Sequence, residues 1–208
     1  MCGIIGYVGE RQALPILIEG IKRLEYRGYD SAGVALNGPF GVNVVKKQGK
    51  ILNLEGELEG HNYEQIEGIA HTRWATHGAP SDLNAHPQTD AAGEIALVHN
   101  GIIENYNTLR EALQRKGHAF RTETDTEVLA CLIAEYYDGD LTEAVTNALS
   151  QVTGAYGIAV VCSKNLGQIV AARYGSPLVI GHGKGENFVA SDVSAVLDHT
   201  NRVVFLED

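Results

Sequence analysis

Apolar patterns along the chain group helices with helices and strands with strands, instead of alternating the two. A strand-like segment at residues 2–8 precedes a helical stripe that runs from Ala13 to Leu24 in three- and four-residue steps. A hairpin follows, helical patterns gather between residues 105 and 150, and the last third is mostly strand. Because a doubly wound parallel sheet needs alternation, we expect an α+β protein of largely antiparallel sheets with helices on their outer faces.

Length and composition limit the classes of function. The 208 residues suit one large domain or two small ones, and no repeat or linker divides them, so we expect one domain over residues 1–208. The net charge is −10, and no basic cluster exceeds Lys46-Lys47, which excludes nucleic acid and anionic membrane surfaces as expected partners. No secretory signal and no run of about 18 apolar residues is visible.

The three cysteines, Cys2, Cys131 and Cys162, are odd in number and widely spaced. This usage disfavours a disulfide framework and a structural zinc site, and it fits a reducing, cytoplasmic setting. Cys2 has two interpretations. It is a buried structural residue at the head of a strand, or it is a nucleophile whose own α-amine, freed by removal of Met1, has a pKa of about 7.7–8.0 and serves as the base.

The dipeptide Asn100-Gly101 follows a predicted strand at residues 95–99 and also allows two interpretations. Asn-Gly is a strong signal for a tight hairpin turn. In acyl-transfer chemistry, the Asn100 side-chain amide and the Gly101 backbone N–H could instead donate hydrogen bonds to a developing oxyanion. The dipeptide alone favours the hairpin turn.

Two charged residues could bind the two ends of a free amino acid. The guanidinium of Arg73 fits a carboxylate, and Asp125, in the first turn of a predicted helix, could pair with an ammonium group. The simpler interpretations are a surface arginine and ordinary helix capping, where Thr124 and Glu127 form a capping-box pattern. Trp74, the only tryptophan, is either a packing residue or a gate over a ligand.

Two other kinds of site are disfavoured by spacing. His71, His77, His86 and His99 match neither HExxH nor a two-histidine-carboxylate pattern, so we expect no metal. A serine nucleophile is unsupported because the chain has no GxSxG motif.

Five segments in this order closely resemble the glutaminase domains of class II glutamine amidotransferases. The resemblance covers essentially the whole chain and is strongest to the sugar-amidating branch, the glucosamine-6-phosphate synthase family. The segments are Cys2-Gly3-Ile4-Ile5-Gly6, EYRGYDSAG at 25–33, HTRWATHG at 71–78, His99-Asn100-Gly101-Ile102-Ile103-Glu104-Asn105 and Glu123-Thr124-Asp125-Thr126-Glu127. Gly154-Ala155-Tyr156-Gly157 and Gly175-Ser176-Pro177-Leu178 are also similar.

The resemblance implies an N-terminal-nucleophile (Ntn) hydrolase fold, a four-layer αββα sandwich, and hydrolysis of L-glutamine to L-glutamate and ammonia without a cofactor. It implies that Cys2 is the nucleophile with its α-amine as base, and that Asn100 and Gly101 form the oxyanion hole. The implied glutamine-binding and site-closing positions are Arg73, Asp125, Thr76, His77, Trp74, Arg27 and His86.

The synthase family also carries a C-terminal sugar-isomerase domain that binds fructose 6-phosphate, and we expect that domain to be absent from residues 1–208. The full-length form implied by the resemblance makes glucosamine 6-phosphate and is a homodimer. Three alternatives stay open on the sequence: an amidotransferase with another acceptor, a non-catalytic module used for subunit contact or glutamine sensing, and a packing domain with an incidental cysteine.

Overall fold

The computed structural model describes residues 2–28, 30–74 and 78–208. Its strands are β1 (Gly3–Val8), β2 (Ser31–Gly38), β3 (Gly41–Gln48), β4 (Glu67–Arg73), β5 (Gln88–Thr89), β6 (Ile95–Ile103), β7 (Gly154–Cys162), β8 (Val170–Tyr174), β9 (Val179–His182), β10 (Asn187–Ala190) and β11 (Val203–Phe205). Its helices are α1 (Ala13–Arg23), α2 (Ile51–Leu58), α3 (Tyr106–Arg115), α4 (Asp125–Tyr136) and α5 (Leu141–Leu149), with 3₁₀ turns at Glu25–Arg27 and Val193–Ala195.

The strands form two sheets whose strand pairs are all antiparallel. The larger sheet has the order β11-β9-β10-β1-β4-β2-β3, and the smaller has the order β5-β6-β7-β8. The predicted antiparallel arrangement is therefore confirmed. In the larger sheet β1 lies between β4 and β10, so the segment that carries Cys2 enters the centre of the sheet.

Three apolar clusters define four layers. One cluster joins α1 and α2 to the outer face of the larger sheet, and a second joins α4 and α5 to the outer face of the smaller sheet. The third lies between the sheets and consists of Ile4, Ala35, Ile69, Ala96, Val98, Ala159, Val161, Leu178 and Val189. Alternation along β1, β4, β6 and β7 divides each strand between an inter-sheet face and a helix-facing side.

Local chemistry fixes the start of α4, the longest described helix. The Thr124 hydroxyl accepts a hydrogen bond from the Glu127 N–H at 3.2 Å, as the capping-box pattern predicts. The Glu127 carboxylate reaches further back than that pattern predicts, to the N–H groups of Arg121 (2.9 Å) and Thr122 (2.7 Å). These bonds secure the segment before α4 and hold Asp125 at its first position.

The structure corrects one strand boundary of functional importance. The sequence predicts that a strand ends at Asn100-Gly101, but β6 continues to Ile103, with Asn100 opposite Gly157 and Gly101 opposite Tyr156. The hairpin interpretation of Asn100-Gly101 is therefore wrong. Gly101 has φ +131°, a conformation that L side chains rarely adopt, and this glycine allows the strand to continue.

Across residues 2–28, 30–74 and 78–208, no helix is long and apolar enough to cross a membrane.

Candidate active site

A cavity of about 320 Å³ opens where β1, β4 and β6 approach one another. Its lining comes from both sheets, from the start of α4 and from connecting segments. The lining residues are Cys2, Arg27, Arg73, Trp74, His86, His99, Asn100, Gly101, Ile102, Asp125, Ser176 and Pro177. This volume matches the lower range of small-molecule sites.

The Cys2 thiol lies against the segment that follows β4. Gly3 pairs with Thr72, and this register brings Cys2 beside Arg73 and Trp74. The Trp74 backbone N–H lies 3.1 Å from Cys2 Sγ and donates to it. Burial raises the pKa of the Cys2 thiol, while the Trp74 N–H and the Arg73 charge act in the opposite direction without reversing the shift. The resting group is therefore a thiol, and its use as a nucleophile needs a base.

Asn100 connects the two sheets at the cavity wall. Its Nδ2 donates to the Cys2 carbonyl oxygen at 3.0 Å, and its Oδ1 lies 2.9 Å from His71 Nε2. His71 is fully buried, and burial lowers its pKa to about 3 against the opposing effect of the Asn100 hydrogen bond. The imidazole is therefore neutral near pH 7.

Gly101 follows Asn100 and packs tightly on β7. A Cβ atom at Gly101 would lie 2.0 Å from the Ala155 carbonyl oxygen, so the position excludes every side chain. Its φ of +131° and this close approach restrict position 101 to glycine, which lines the cavity beside Asn100.

Opposite charges reach the cavity from two elements. Arg73, the last residue of β4, and Asp125, the first of α4, are each 4% exposed. Asp125 Oδ2 accepts a hydrogen bond from the Ile103 N–H at 2.9 Å, and Arg73 Nη2 donates to the Gly78 carbonyl at 3.4 Å. Burial lowers the pKa of Arg73, while the negative charges of Asp30 and Asp125 oppose the shift. The pair offers complementary charges to a small zwitterion.

Arg27 and Trp74 form the more open side of the cavity. Arg27 pairs with Asp192 at 3.0 Å and donates to the Ser191 carbonyl at 3.3 Å, which attaches the 3₁₀ turn to the segment after β10. The Trp74 side chain is 50% exposed. His86 also lines the cavity but is buried, and its ring centroid lies 4.6 Å from that of His71.

Eight of the ten residues that the resemblance selects line this one cavity: Cys2, Arg27, Arg73, Trp74, His86, Asn100, Gly101 and Asp125. The other two, Thr76 and His77, lie outside the described residues. The sequence prediction did not select His99, Ile102, Ser176 and Pro177, which also line the cavity. The signals were present, because His99 and Ile102 flank Asn100-Gly101 and Ser176-Pro177 lies in a segment similar to the family.

In the part of the chain that the structure describes, no group of three or more His, Cys, Asp or Glu side chains could hold a metal ion. His99 Nδ1 lies 3.1 Å from the Thr126 hydroxyl.

The cavity offers a thiol, amide and backbone hydrogen-bond donors, and two opposite charges. This set of groups is suited to acyl transfer on a small polar substrate.

A family model described as a glutamine amidotransferase domain matches residues 71–198, which include Arg73, Asn100, Gly101 and Asp125. This chain belongs to the glutamine amidotransferase family. Relatives named glutamine–fructose-6-phosphate aminotransferase (isomerizing) align with the chain over its full length. A protein of Thermus thermophilus is 58% identical and one of Aquifex aeolicus is 53% identical over 208 residues. The chain spans 34% and 35% of the length of these relatives.

A solved glutamine amidotransferase has the same architecture. The glutamine phosphoribosylpyrophosphate amidotransferase of B. subtilis superposes with a TM-score of 0.83 at 29% identity, over 99% of this chain and 44% of the other. The chain has two antiparallel sheets between helical layers. Together with this superposition, that architecture confirms the predicted α+β Ntn-hydrolase sandwich. The resemblance inferred from the sequence motifs is confirmed as well.

Proposed function

We propose that this chain hydrolyses L-glutamine to L-glutamate and ammonia, with Cys2 as the nucleophile. The observation that carries the proposal is the convergence of a thiol, an amide donor and two opposite charges on one cavity of about 320 Å³. Arg73 binds the α-carboxylate of glutamine and Asp125 binds its α-ammonium group. This orientation directs the side-chain amide of glutamine toward Cys2, and such positioning lowers the barrier to attack.

The α-amine of Cys2, freed by removal of Met1, is the proposed base. Met1 lies outside the described residues. The raised pKa of the Cys2 thiol supports the need for a base, because a buried thiol ionises poorly at neutral pH. The amine takes the thiol proton, the thiolate attacks the amide carbon, and the same amine returns the proton to the departing ammonia. Water then hydrolyses the γ-glutamyl thioester and releases glutamate.

Asn100 and Gly101 are the proposed oxyanion donors. The Asn100 amide nitrogen lies 3.0 Å from the Cys2 carbonyl oxygen, and Gly101 lines the cavity next to it. Donors aimed at a developing negative charge stabilise the tetrahedral intermediate more than the substrate. We propose that Trp74, Arg27 and His86 close the site around glutamine, and that Thr76 and His77 belong to the same pocket, as the resemblance of the HTRWATHG segment implies.

The longer relatives suggest the fate of the ammonia. Their printed name couples glutamine to fructose 6-phosphate, and we propose that residues 1–208 are the glutaminase domain of such an enzyme. A C-terminal sugar-isomerase domain would receive the ammonia and form glucosamine 6-phosphate, in a cytoplasmic homodimer. Measuring glucosamine 6-phosphate formed by the full-length protein distinguishes this acceptor from any other.

Replacement of the thiol tests the glutaminase proposal. We expect Cys2→Ala to abolish release of glutamate and ammonia while its circular dichroism spectrum and Tm stay close to those of the wild type. Cys131→Ala is the matched control, because Cys131 is buried among the side chains of α4 and the smaller sheet and does not line the cavity. It should keep its turnover. Activity in Cys2→Ala comparable to that of the wild type would contradict the proposal.

A further inference from the structure

The side-chain amide of Asn100 can act as an oxyanion donor in only one of its two orientations. An asparagine amide has a carbonyl oxygen and an NH₂ group of nearly equal size, and a half-turn about its last bond exchanges them. Only the orientation that presents NH₂ to the cavity supplies donors, and the flipped one presents a repelling oxygen. A second contact must therefore hold the oxygen on the opposite side.

We infer that His71 is a positioning residue that fixes the Asn100 amide with its NH₂ group toward the reacting atoms. The inference rests on the proposed glutaminase function. His71 belongs to β4 of the larger sheet and Asn100 to β6 of the smaller sheet, so their 2.9 Å contact crosses between the sheets.

The Cys2 carbonyl determines the direction of this hydrogen bond. Asn100 Nδ2 lies 3.0 Å from the Cys2 carbonyl oxygen, which accepts hydrogen bonds and cannot donate them. A flipped amide would place two oxygens against each other there. Asn100 Oδ1 therefore faces His71, and His71 Nε2 must carry the proton that is donated to it.

The surroundings of His71 support one tautomer. The ring is fully buried, and its pKa of about 3 keeps it neutral, with a single N–H, at neutral pH. Its other nitrogen, Nδ1, has no hydrogen-bond partner among the residues that the structure describes, so a proton on Nδ1 would be buried without an acceptor. The buried His86 ring packs at 4.6 Å and limits rotation of the His71 ring.

His71 does not line the cavity, so it acts through Asn100 and not on the substrate itself. Loss of a single oxyanion donor costs about 10²–10³ in kcat. Loss of His71 should cost part of that factor, because the contact that holds the Asn100 oxygen is removed while the Cys2 carbonyl still accepts from the Asn100 amide and favours the productive orientation. Glutamine binding through Arg73 and Asp125 should change little.

Two variants of His71 separate positioning from packing. His71→Phe fills the space without a donor, and we expect about a 10- to 100-fold lower kcat with KM within about threefold of the wild type. His71→Gln offers an amide N–H near the position of Nε2 and should recover a large part of the loss. If the wild-type protein is an active glutaminase and both variants have the same kcat as the wild type, the positioning role of His71 is overturned. The proposed glutaminase function is not affected by that result.

A double-variant cycle tests whether His71 acts through Asn100. In an Asn100→Ala background, His71→Phe should lower kcat no further, because the amide that it orients is already absent. A merely structural role instead predicts that the two losses in kcat multiply. Multiplied losses would overturn the inference. Absence of glutaminase activity in the wild-type protein would overturn the proposed function and, with it, this inference.

Nitrogen-15 NMR supplies a readout that does not depend on activity. The His71 ring signals, assigned by their absence in His71→Gln, should show the neutral tautomer with the proton on Nε2 and stay unchanged from pH 7.5 to pH 5.5. A proton on Nδ1, or protonation of the ring within this range, would overturn the inference.

Discussion

The two sides of the cavity are built differently. On one side, Cys2, Asn100 and Gly101 stand on or beside strands of both sheets, and His71 behind them is fully buried. On the other side, Arg27 and Trp74 come from a 3₁₀ turn and from the segment after β4, and the Trp74 side chain is half exposed. We call these the sheet side and the loop side.

The difference in construction suggests a division of labour. Oxyanion donors act only when they are held within a fraction of an ångström of the reacting atoms, and strands joined by hydrogen bonds provide that precision. Groups that admit and cover a substrate need freedom to move, and loops provide it. We therefore expect substitutions on the sheet side to lower kcat, and substitutions on the loop side to have smaller effects.

Gly101→Ala should have the largest effect. Its new Cβ would meet the Ala155 carbonyl oxygen at 2.0 Å at a φ of +131°, so β6 must move and carry Asn100 with it. We expect kcat to fall at least about 10²-fold and stability to fall by about 2–4 kcal/mol. Steady-state kinetics and urea unfolding measure the two effects.

The control for that variant is Gly139→Ala. Gly139 also has a positive φ, +98°, but a Cβ there would meet nothing within 4 Å. It should lose about 1 kcal/mol of stability through backbone strain and keep its kcat. Similar kcat losses in the two variants would show that strain in general, and not the geometry of the sheet side, is responsible.

Arg73→Ala should have the next largest effect and should act on binding. Removal of a charge-assisted bond to the substrate carboxylate costs about 1.5–3 kcal/mol, so KM for glutamine should rise about 10- to 100-fold. Arg23→Ala, which removes a half-buried arginine of α1 that pairs with Glu19 and Asp198 and does not line the cavity, is the control and should leave KM unchanged. An unchanged KM in Arg73→Ala would remove this residue from the substrate pocket.

The buried histidine predicts a pH dependence of stability on the sheet side. The pKa of His71 is about 3 in the folded chain and 6.5 ordinarily, so below pH 6.5 the unfolded chain binds a proton that the folded chain does not. This stabilisation of the unfolded state grows as the pH falls, by about 1.4 kcal/mol per pH unit. Relative to His71→Gln, the wild type should lose about 1 kcal/mol between pH 6.5 and 5.5, because the full slope is reached only well below pH 6.5. If the free energy of unfolding changed equally with pH in the two proteins, His71 would not be a buried, neutral imidazole.

Gly28→Ala should have the smallest effect and probes the loop side. A Cβ at Gly28 would lie 2.9 Å from the Arg73 carbonyl and 3.0 Å from the Trp74 nitrogen that donates to the Cys2 thiol. Because these are backbone atoms, the segment after β4 must shift to relieve the contact. That shift falls on the loop side, where we expect movement to be tolerated, so the predicted loss of kcat/KM is only a few-fold. Gly56→Ala in α2, where the Cβ meets nothing, should keep kcat/KM and gain about 0.5–1 kcal/mol of stability. If Gly28→Ala lost more activity than Gly101→Ala, the expected difference between the sheet side and the loop side would be reversed.

The sequence predicted the architecture because periodicity records burial. The residues Ile4, Ile69 and Val98 face the space between the sheets, and their neighbours along each strand face the other side of the sheet. This two-residue period indicates a strand even when its position in the sheet is unknown. The sequence patterns do not mark the short strand β5, because two residues carry too little alternation to indicate a strand. The extent of β6 was misjudged because Gly101 adopts a conformation that usually marks a turn.

The candidate site was predictable where chemistry-bearing residues stand in recognisable segments, as Cys2, Arg73 and Asp125 do. His71 also stands in such a segment, at the start of HTRWATHG, but the sequence patterns indicated no role for it, because its partner Asn100 lies 29 residues away on another sheet. Its significance depends on a contact between the two sheets, and single-sequence patterns do not specify how one sheet lies on another. For the same reason the similar segment that contains Ser176 and Pro177 did not reveal that these residues reach the cavity from beyond β8.

Covalent trapping tests most directly whether Cys2, with its own freed amine, is the reactive unit. The protein is treated with a glutamine-analogue electrophile, with and without excess glutamine, and its intact mass and peptide map are recorded. We expect one adduct per chain, on Cys2 of a chain that lacks Met1, with glutamine slowing its formation and with the buried Cys131 and Cys162 unlabelled. An adduct on another residue, or a Cys2 adduct that forms equally well on chains that retain Met1, would contradict the proposed mechanism.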